Sequence, residues 1–431
     1  MPTLRAYQQH DVERITESMR RTRRVLYVLP TGGGKTTVFT HIGQKAAAKG
    51  RRTLILAHRH ELIKQISRRL EMPHGIIAPG FTPYYELPIQ VGMIQTVARR
   101  PVGGFDLIIP DEAHHTPSNT YRKVLDASPN AWKLGVTATP QRGDGRGLGE
   151  LFDEMVLGPT AAELTEQGYL APAIVYAPST INTSGIKRAR GDYDNRSLTQ
   201  LSDTPTVTGC AVSHYKKHAD GRRALVTACS VDHAYHVAQQ FCDAGYRFKA
   251  VHGKMTQYER DEAIDGLTGL RYHGLVYCDL FSEGVDVPVV EVGIFLRKTL
   301  SLGLWDQQVG RILRPFEGKS HALLLDHVGN TAMHGIAPWG REWSLEGEAP
   351  RRGLNAEEKR MATRTCPTCF GIHPPAPQCP YCGEVYVVHG RTPEQVAGEL
   401  VEVSPAEIAR RKAHVQHVLR AASERFERRF G

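Results

Sequence analysis

Short apolar runs recur along the chain up to about residue 330. They are VLYVLP (25–30), TLILAH (53–58), DLIIP (106–110), KLGVTAT (133–139), ALVTAC (224–229), GLVYCD (274–279), VVEVGIFL (289–296) and HALLLDH (321–327). Each is brief and rich in Val, Ile and Leu, with almost no polar alternation. Such runs predict strands of a parallel sheet buried on both faces by crossover helices. The connectors carry helical periodicity, as in RHELIKQISRRL (59–70). One polar stretch, residues 178–208, interrupts the alternation with Ser, Thr, Gly and Asp and reads as a connection.

The expected organisation is therefore α/β, with two parallel-sheet domains in tandem at 1–175 and 209–335 and a connecting segment at 176–208. After 335 the composition turns to Pro, Gly, Arg and Cys. A small zinc ribbon region is expected at 336–392 and a basic helical tail at 393–431, where Ile408, Val415, Val418, Leu419, Ala422 and Phe426 recur at helical spacing.

Composition changes this picture in two ways. The chain has 431 residues, 41% hydrophobic and 23% charged, which is ordinary globular material. Its formal net charge of +9 favours a polyanionic partner. No long apolar run could cross a membrane, and the N-terminus lacks the apolar core of a signal peptide, so a cytoplasmic protein without a membrane partner is expected. A disulfide framework does not suit a chain of this size with these cysteine spacings.

The first candidate chemistry is in VLYVLPTGGGKTTVF. A glycine-rich turn follows a strand and precedes a helix, so successive N–H groups and the helix N-terminus can cradle phosphate oxygens. Lys35 would reach the β/γ-phosphates and the Thr36 hydroxyl would ligate Mg²⁺. Leu29 stands where the first glycine of the usual phosphate-loop pattern belongs.

The second is FDLIIPDEAHH, an apolar strand that ends in two acids and two histidines. A zinc peptidase would want its histidines a helical turn apart with a glutamate between them. His114 and His115 are adjacent and point in different directions on either helix or strand. An NTPase instead needs one acid at a strand end for Mg²⁺ and a neighbour for the attacking water. Asp111 fits the first role and Glu112 the second.

PTGGGKT (30–36), DEAH (111–114), TATP (137–140), SEGVDVP (282–288) and QQVGRILRP (307–315) stand in an order that resembles superfamily 2 DEAD/DEAH-type helicases and translocases. The likeness spans about residues 4–330. LRAYQQ (4–9), LAHRHEL (56–62), IQTVAR (94–99), GYL (168–170) and LLLDHVGN (323–330) with paired C-x-x-C look more narrowly like the RadD (YejH) group of bacterial DNA-repair ATPases and their phage relatives.

The resemblance implies two RecA-like domains and roles for individual residues. Arg5 and Gln8 would read adenine. Thr31, Gly32, Gly33, Gly34, Lys35, Thr36 and Thr37 would form the phosphate loop. Asp111 and Glu112 would be the Mg²⁺ acid and the base, and His114, Thr137 and Thr139 would couple hydrolysis to nucleic-acid binding. From the second domain, Gly284 and Asp286 would touch nucleotide and strand, and Gln307, Arg311 and Arg314 would complete catalysis. Nucleic-acid contacts would come from Arg59, Gln95, Thr96, Ser230 and Ser282, mostly to the phosphate backbone, since a motor must ignore sequence.

CPTCFGIHPPAPQCPYCGEVY holds two C-x₂-C pairs, Cys366/Cys369 and Cys379/Cys382. Four thiolates with no open position suit a structural Zn²⁺, which a ribbon with so little core needs to fold. His373 lies between the pairs, and four cysteines leave it unnecessary as a ligand. The expected protein is thus an ATP-dependent DNA helicase or translocase of repair or recombination, using ATP with Mg²⁺. Single-stranded or branched DNA is the favoured partner, and a protein partner could meet the ribbon or the tail. An RNA-dependent ATPase and a nucleotide-switched DNA-binding scaffold are the alternatives.

Overall fold

The computed structural model describes residues 3–100, 103–142, 146–177, 205–278, 287, 289–347 and 371–386, with short stretches at 188–189, 192–194, 198–199, 364–366 and 368–369. Residues 1–385 form one compact unit; the expected basic tail lies outside the described residues.

Two parallel sheets build this unit. The first contains β1 (Arg24–Val28), β2 (Thr53–Ala57), β3 (His74–Ile77), β4 (Ile89–Met93), β5 (Leu107–Pro110), β6 (Trp132–Thr137) and β7 (Glu154–Leu157), in the order β3-β4-β2-β5-β6-β1-β7. Every pairing is parallel, so all strand C-termini open on one edge. Because β5, β6 and β1 are neighbours, the loops after them come together there. Sequence-distant motifs meet because of strand order.

The second sheet holds β8 (Ala173–Tyr176), β11 (Ala224–Thr227), β12 (Phe248–His252), β13 (Gly274–Cys278), β14 (Val292–Phe295) and β15 (Ala322–Asp326), in the order β12-β13-β11-β14-β15-β8. It too is parallel throughout. β9 (Arg188–Ala189) and β10 (Asp192–Tyr193) form a separate antiparallel pair within the connecting segment.

The sheet topology departs from the expected division at 175, which falls inside β8. That strand precedes the connecting segment but pairs with β15, the last strand of the second sheet. Its short length hid it: AIVY follows the first domain with no composition change, and only a long-range pairing assigns it.

The central strands are buried end to end because helices cover both faces, as in β2, where all five residues are inaccessible, while the edge strands β3, β7 and β8 are partly exposed. One apolar cluster takes in residues of the first sheet (Val25, Ile55, Val136), of the second (Leu225, Leu324) and Trp305. Inside the second domain, Phe241 stacks on Phe248 with centroids 4.0 Å apart and meets Tyr215 edge-on. Phe241→Ala should lower unfolding free energy by about 3–5 kcal/mol, as expected for a buried aromatic that leaves a cavity, read by denaturant titration.

Candidate ATP site and cysteine cluster

The phosphate loop is shaped by where its glycines bend. Gly32 and Gly34 have φ of 89° and 84°, which only glycine adopts without strain. A Cβ on Gly34 would lie 2.6 Å from Gln8 Nε2. Gly34 is also the N-cap of the helix Lys35–Ala47, and no side chain caps that end. The helix N-terminus therefore faces the cavity, with its partial positive charge available to an anion. The departure at Leu29 has a packing reason. Its side chain is fully buried in the core, while its carbonyl accepts from Lys35 Nζ at 3.3 Å.

A cavity of about 610 Å³ lies over this loop, a size that suits a nucleotide. Arg5, Gln8, Thr31, Gly32, Gly34, Lys35, Thr36 and Thr37 line one side; Asp111, Glu112, Gln307, Arg311 and Arg314 complete it. Gly33 does not line the cavity. Its carbonyl accepts instead from Tyr7 Oη at 2.6 Å and Gln8 Nε2 at 3.4 Å, fastening the loop to the N-terminal helix Ala6–Arg21.

Lys35 is enclosed. Burial pushes its ammonium below the usual lysine range; Glu112 and Asp111 oppose that shift, and Arg314 and Arg311 reinforce it. Two acids from β5 and two arginines of the second domain thus converge electrostatically on one lysine.

Asp111 extends β5 by a bridge to Val136, and its Oδ1 accepts from Glu112 N at 3.0 Å. Glu112 has left-handed backbone, φ 50° and ψ 56°, an uncommon state for a residue with a side chain. Its buried Oε2 meets no hydrogen-bond donor among the described residues. His114 Nδ1 lies 3.5 Å from that oxygen and 3.1 Å from Thr137 Oγ1. Thr137 Oγ1 in turn donates to the Thr139 carbonyl at 2.9 Å. A polar chain therefore runs from Glu112 through His114 to Thr139. Thr139 lies beside Gly303 of the helix Leu302–Ile312, where an added Cβ would sit 3.1 Å from its Oγ1. The ring of His115 packs against those of His58 and His114.

The helix Leu302–Ile312 carries Gln307 and Arg311, with Arg314 just beyond its end. Ser301 Oγ caps it by accepting from Leu304 N at 3.2 Å. The helix reaches the phosphate loop because residue 310 is glycine: a Cβ there would lie 2.5 Å from Thr31 Cβ.

Several lining residues were missed by sequence reasoning. Tyr169, from GYL, lies under Arg5 with the guanidinium 4.5 Å from the ring centroid. Leu62, Gln65 and Arg69 enter from the helix His60–Arg69. Their spacing of three and four residues was a readable signal for one helix face, but the stretch reads equally well as a crossover helix.

Of the expected nucleic-acid contacts, Arg59 follows β2 and Gln95 and Thr96 follow β4, so all three lie on the open edge of the first sheet, outside the cavity. Ser230 follows β11 and caps the helix Val231–Asp243, accepting from His233 N at 3.2 Å. Ser282, Gly284 and Asp286 lie outside the described residues.

The chain matches the model of the type III restriction enzyme res subunit over residues 1–142 and that of the helicase conserved C-terminal domain over 208–315. It is 33% identical over 383 residues to a 51.5 kDa protein of a Lactococcus phage, covering 86% of this chain and 81% of that one. The chain belongs to helicase superfamily 2. It is accordingly an enzyme of the helicase-type ATPase class. It is also 29% identical over 364 residues to IRC3 of Saccharomyces cerevisiae, described as an ATP-dependent helicase, covering 77% of this chain and 52% of that protein. It thus spans about half the yeast relative's length. Among solved structures, a fragment of an HsdR subunit of a type I restriction enzyme from Vibrio vulnificus superposes with a TM-score of 0.62 at 22% identity, over 78% of this chain and 66% of that one. LlaBIII, an ATP-dependent type ISP restriction-modification enzyme bound to DNA, gives 0.56 at 18%, over 75% and 27%. These two confirm the tandem parallel-sheet fold.

The second site is the cysteine cluster. The four Sγ atoms of Cys366, Cys369, Cys379 and Cys382 lie within 4.8 Å of one another, with 3.6 Å between 366 and 382 and 3.7 Å between 369 and 379. A tetrahedron with Zn–S of about 2.3 Å has edges of about 3.8 Å, so the cluster fits zinc. His373 is not in it; its Nδ1 lies 2.7 Å from the Pro374 carbonyl. The ribbon docks on β8 through an antiparallel bridge between Tyr176 and Gly371. It thereby covers an edge strand that would otherwise offer unpaired backbone groups. Cys379→Ser should lose the zinc, expected near one per chain in the parent protein by metal analysis, together with the order of the ribbon.

Proposed function

We propose that this chain is an ATP-driven DNA translocase or helicase that acts in DNA repair or recombination. The observation that carries the reading is the convergence of Arg311 and Arg314 from the second domain on Lys35, Asp111 and Glu112 of the first. Phosphoryl transfer spreads negative charge over the equatorial oxygens, and cations held around them lower the barrier. With the arginines on a separate domain, hydrolysis requires closure, and each opening and closing shifts the two domains along a bound strand.

In this reading Arg5 and Gln8 bind the base beside Tyr169, and Lys35 binds the phosphates. Thr36 and Asp111 would hold Mg²⁺, which neutralises phosphate charge when bound. Glu112 orients and deprotonates the attacking water. His114, Thr137 and Thr139 pass the state of Glu112 to the second domain along their hydrogen bonds. Arg59, Gln95, Thr96 and Ser230 contact the strand backbone, as do Ser282 and the loop bearing Gly284 and Asp286. The relative named DNA 3'-5' translocase XPB2, from Sulfurisphaera tokodaii, at 26% identity over 369 residues, supports DNA as the track. The RadD-like motifs support a role in repair.

ATP hydrolysis measured with single-stranded DNA, duplex, branched DNA and RNA tests this. DNA should stimulate turnover about tenfold or more over RNA; equal slow rates with all four would contradict a motor, and an RNA preference would overturn the choice of track. Glu112→Gln should bind ATP normally and hydrolyse it about 100-fold or more slowly, the scale of a lost general base. Parent-like turnover would remove Glu112 from that role.

A further inference from the structure

Residues 336–347 leave the second domain and return to the first. At one end, Trp305 Nε1 of the helix Leu302–Ile312 donates to the Gly335 carbonyl at 2.6 Å. Arg341 then makes a two-pronged pair with Asp306 of the same helix: Nη2 to Oδ1 at 2.7 Å and Nε to Oδ2 at 3.1 Å. Both side chains are largely buried, at 13% and 7% exposure. At the other end the chain joins the first domain. Gly147 N donates to the Glu346 carbonyl at 3.2 Å and Gly149 N to the Leu345 carbonyl at 2.8 Å, and Arg146 forms an antiparallel bridge with Gly347. Trp343 and Leu345 pack on Leu26, Val28, Ala113, Leu148 and Phe152. A Cβ on Gly147 would lie 1.9 Å from the Leu345 carbonyl oxygen, so the contact needs glycine there.

These two fastenings lie next to the two halves of the ATP site. Asp306 precedes Gln307 on the arginine helix. Ala113 follows Glu112 directly. We infer that residues 336–347 are a strap that holds the arginine helix in register with the phosphate loop, and that Arg341 is a positioning residue for Arg311. The inference rests on the cross-cleft role proposed for Arg311. A forked guanidinium–carboxylate pair fixes orientation more than a single bond does. When such a pair is buried, its value is geometry more than net stability.

Steady-state ATP hydrolysis at saturating single-stranded DNA tests the strap. Arg341→Met strands Asp306 as a lone buried charge and lowers stability. The paired replacement Asp306→Asn with Arg341→Gln leaves no lone charge and is measured beside it. The paired variant should lose about tenfold in kcat with KM for ATP within about twofold, because the arginines act in the transition state. In an Arg311→Ala background the same pair should cause no further loss. Normal kcat in the paired variant, beside an impaired Arg311→Ala, overturns the strap alone. A loss that multiplies with that of Arg311→Ala also overturns it. Full turnover in Arg311→Ala itself overturns the cross-cleft role, and the strap's with it.

Discussion

The contact on which the ATP site depends is the seat of the helix Leu302–Ile312 against the phosphate loop. Gly310 faces Thr31 with no room for a methyl group, and the Gly310 carbonyl lies 3.5 Å from where a Cβ on Gly32 would project. Backbone meets backbone there, and the arginines beside Gly310 are carried to the phosphate end of the cavity. Each domain alone holds half of the charged groups: the lysine and acids follow β1 and β5, and the arginines follow β14. Neither half holds the whole charged set of the cavity without the other.

The corner at Asp111–Glu112 is the second constraint. Left-handed backbone at a residue with a Cβ costs about 1 kcal/mol or more. It is held here by the bridge from Asp111 to Val136 and by the Glu112 N–H bond to the Asp111 carboxylate. The strained turn places one carboxylate at the cavity, where its buried Oε2 lies 3.5 Å from His114 Nδ1. His114 then ties that carboxylate to the end of β6, and so to the face where the second domain sits.

The strands and the chemistry at their ends were legible in the sequence because both are local. A run such as TLILA buries every residue and needs no alternation, and the order strand, glycines, Lys-Thr, helix already describes a phosphate cradle. The cysteine spacing was legible for the same reason. β8 was not, since its four residues pair with a strand about 150 positions away in sequence. Composition alone groups the stretch 336–347 with the zinc ribbon. Its partners Asp306, Gly147 and Phe152 are scattered through both domains, and no local pattern marks them. Tyr169 lies in GYL, yet nothing near it in sequence says that Arg5 covers its ring.

ATP turnover and ATP binding of Gly310→Ala test the two-domain site most directly. The added methyl group meets Thr31 Cβ, an atom that cannot rotate away, so the arginine helix must shift off the loop. ATP binding, which rests chiefly on the first domain, should stay within about threefold, while turnover should fall about tenfold or more. Parent-like turnover with DNA present would contradict an ATP site completed by that helix.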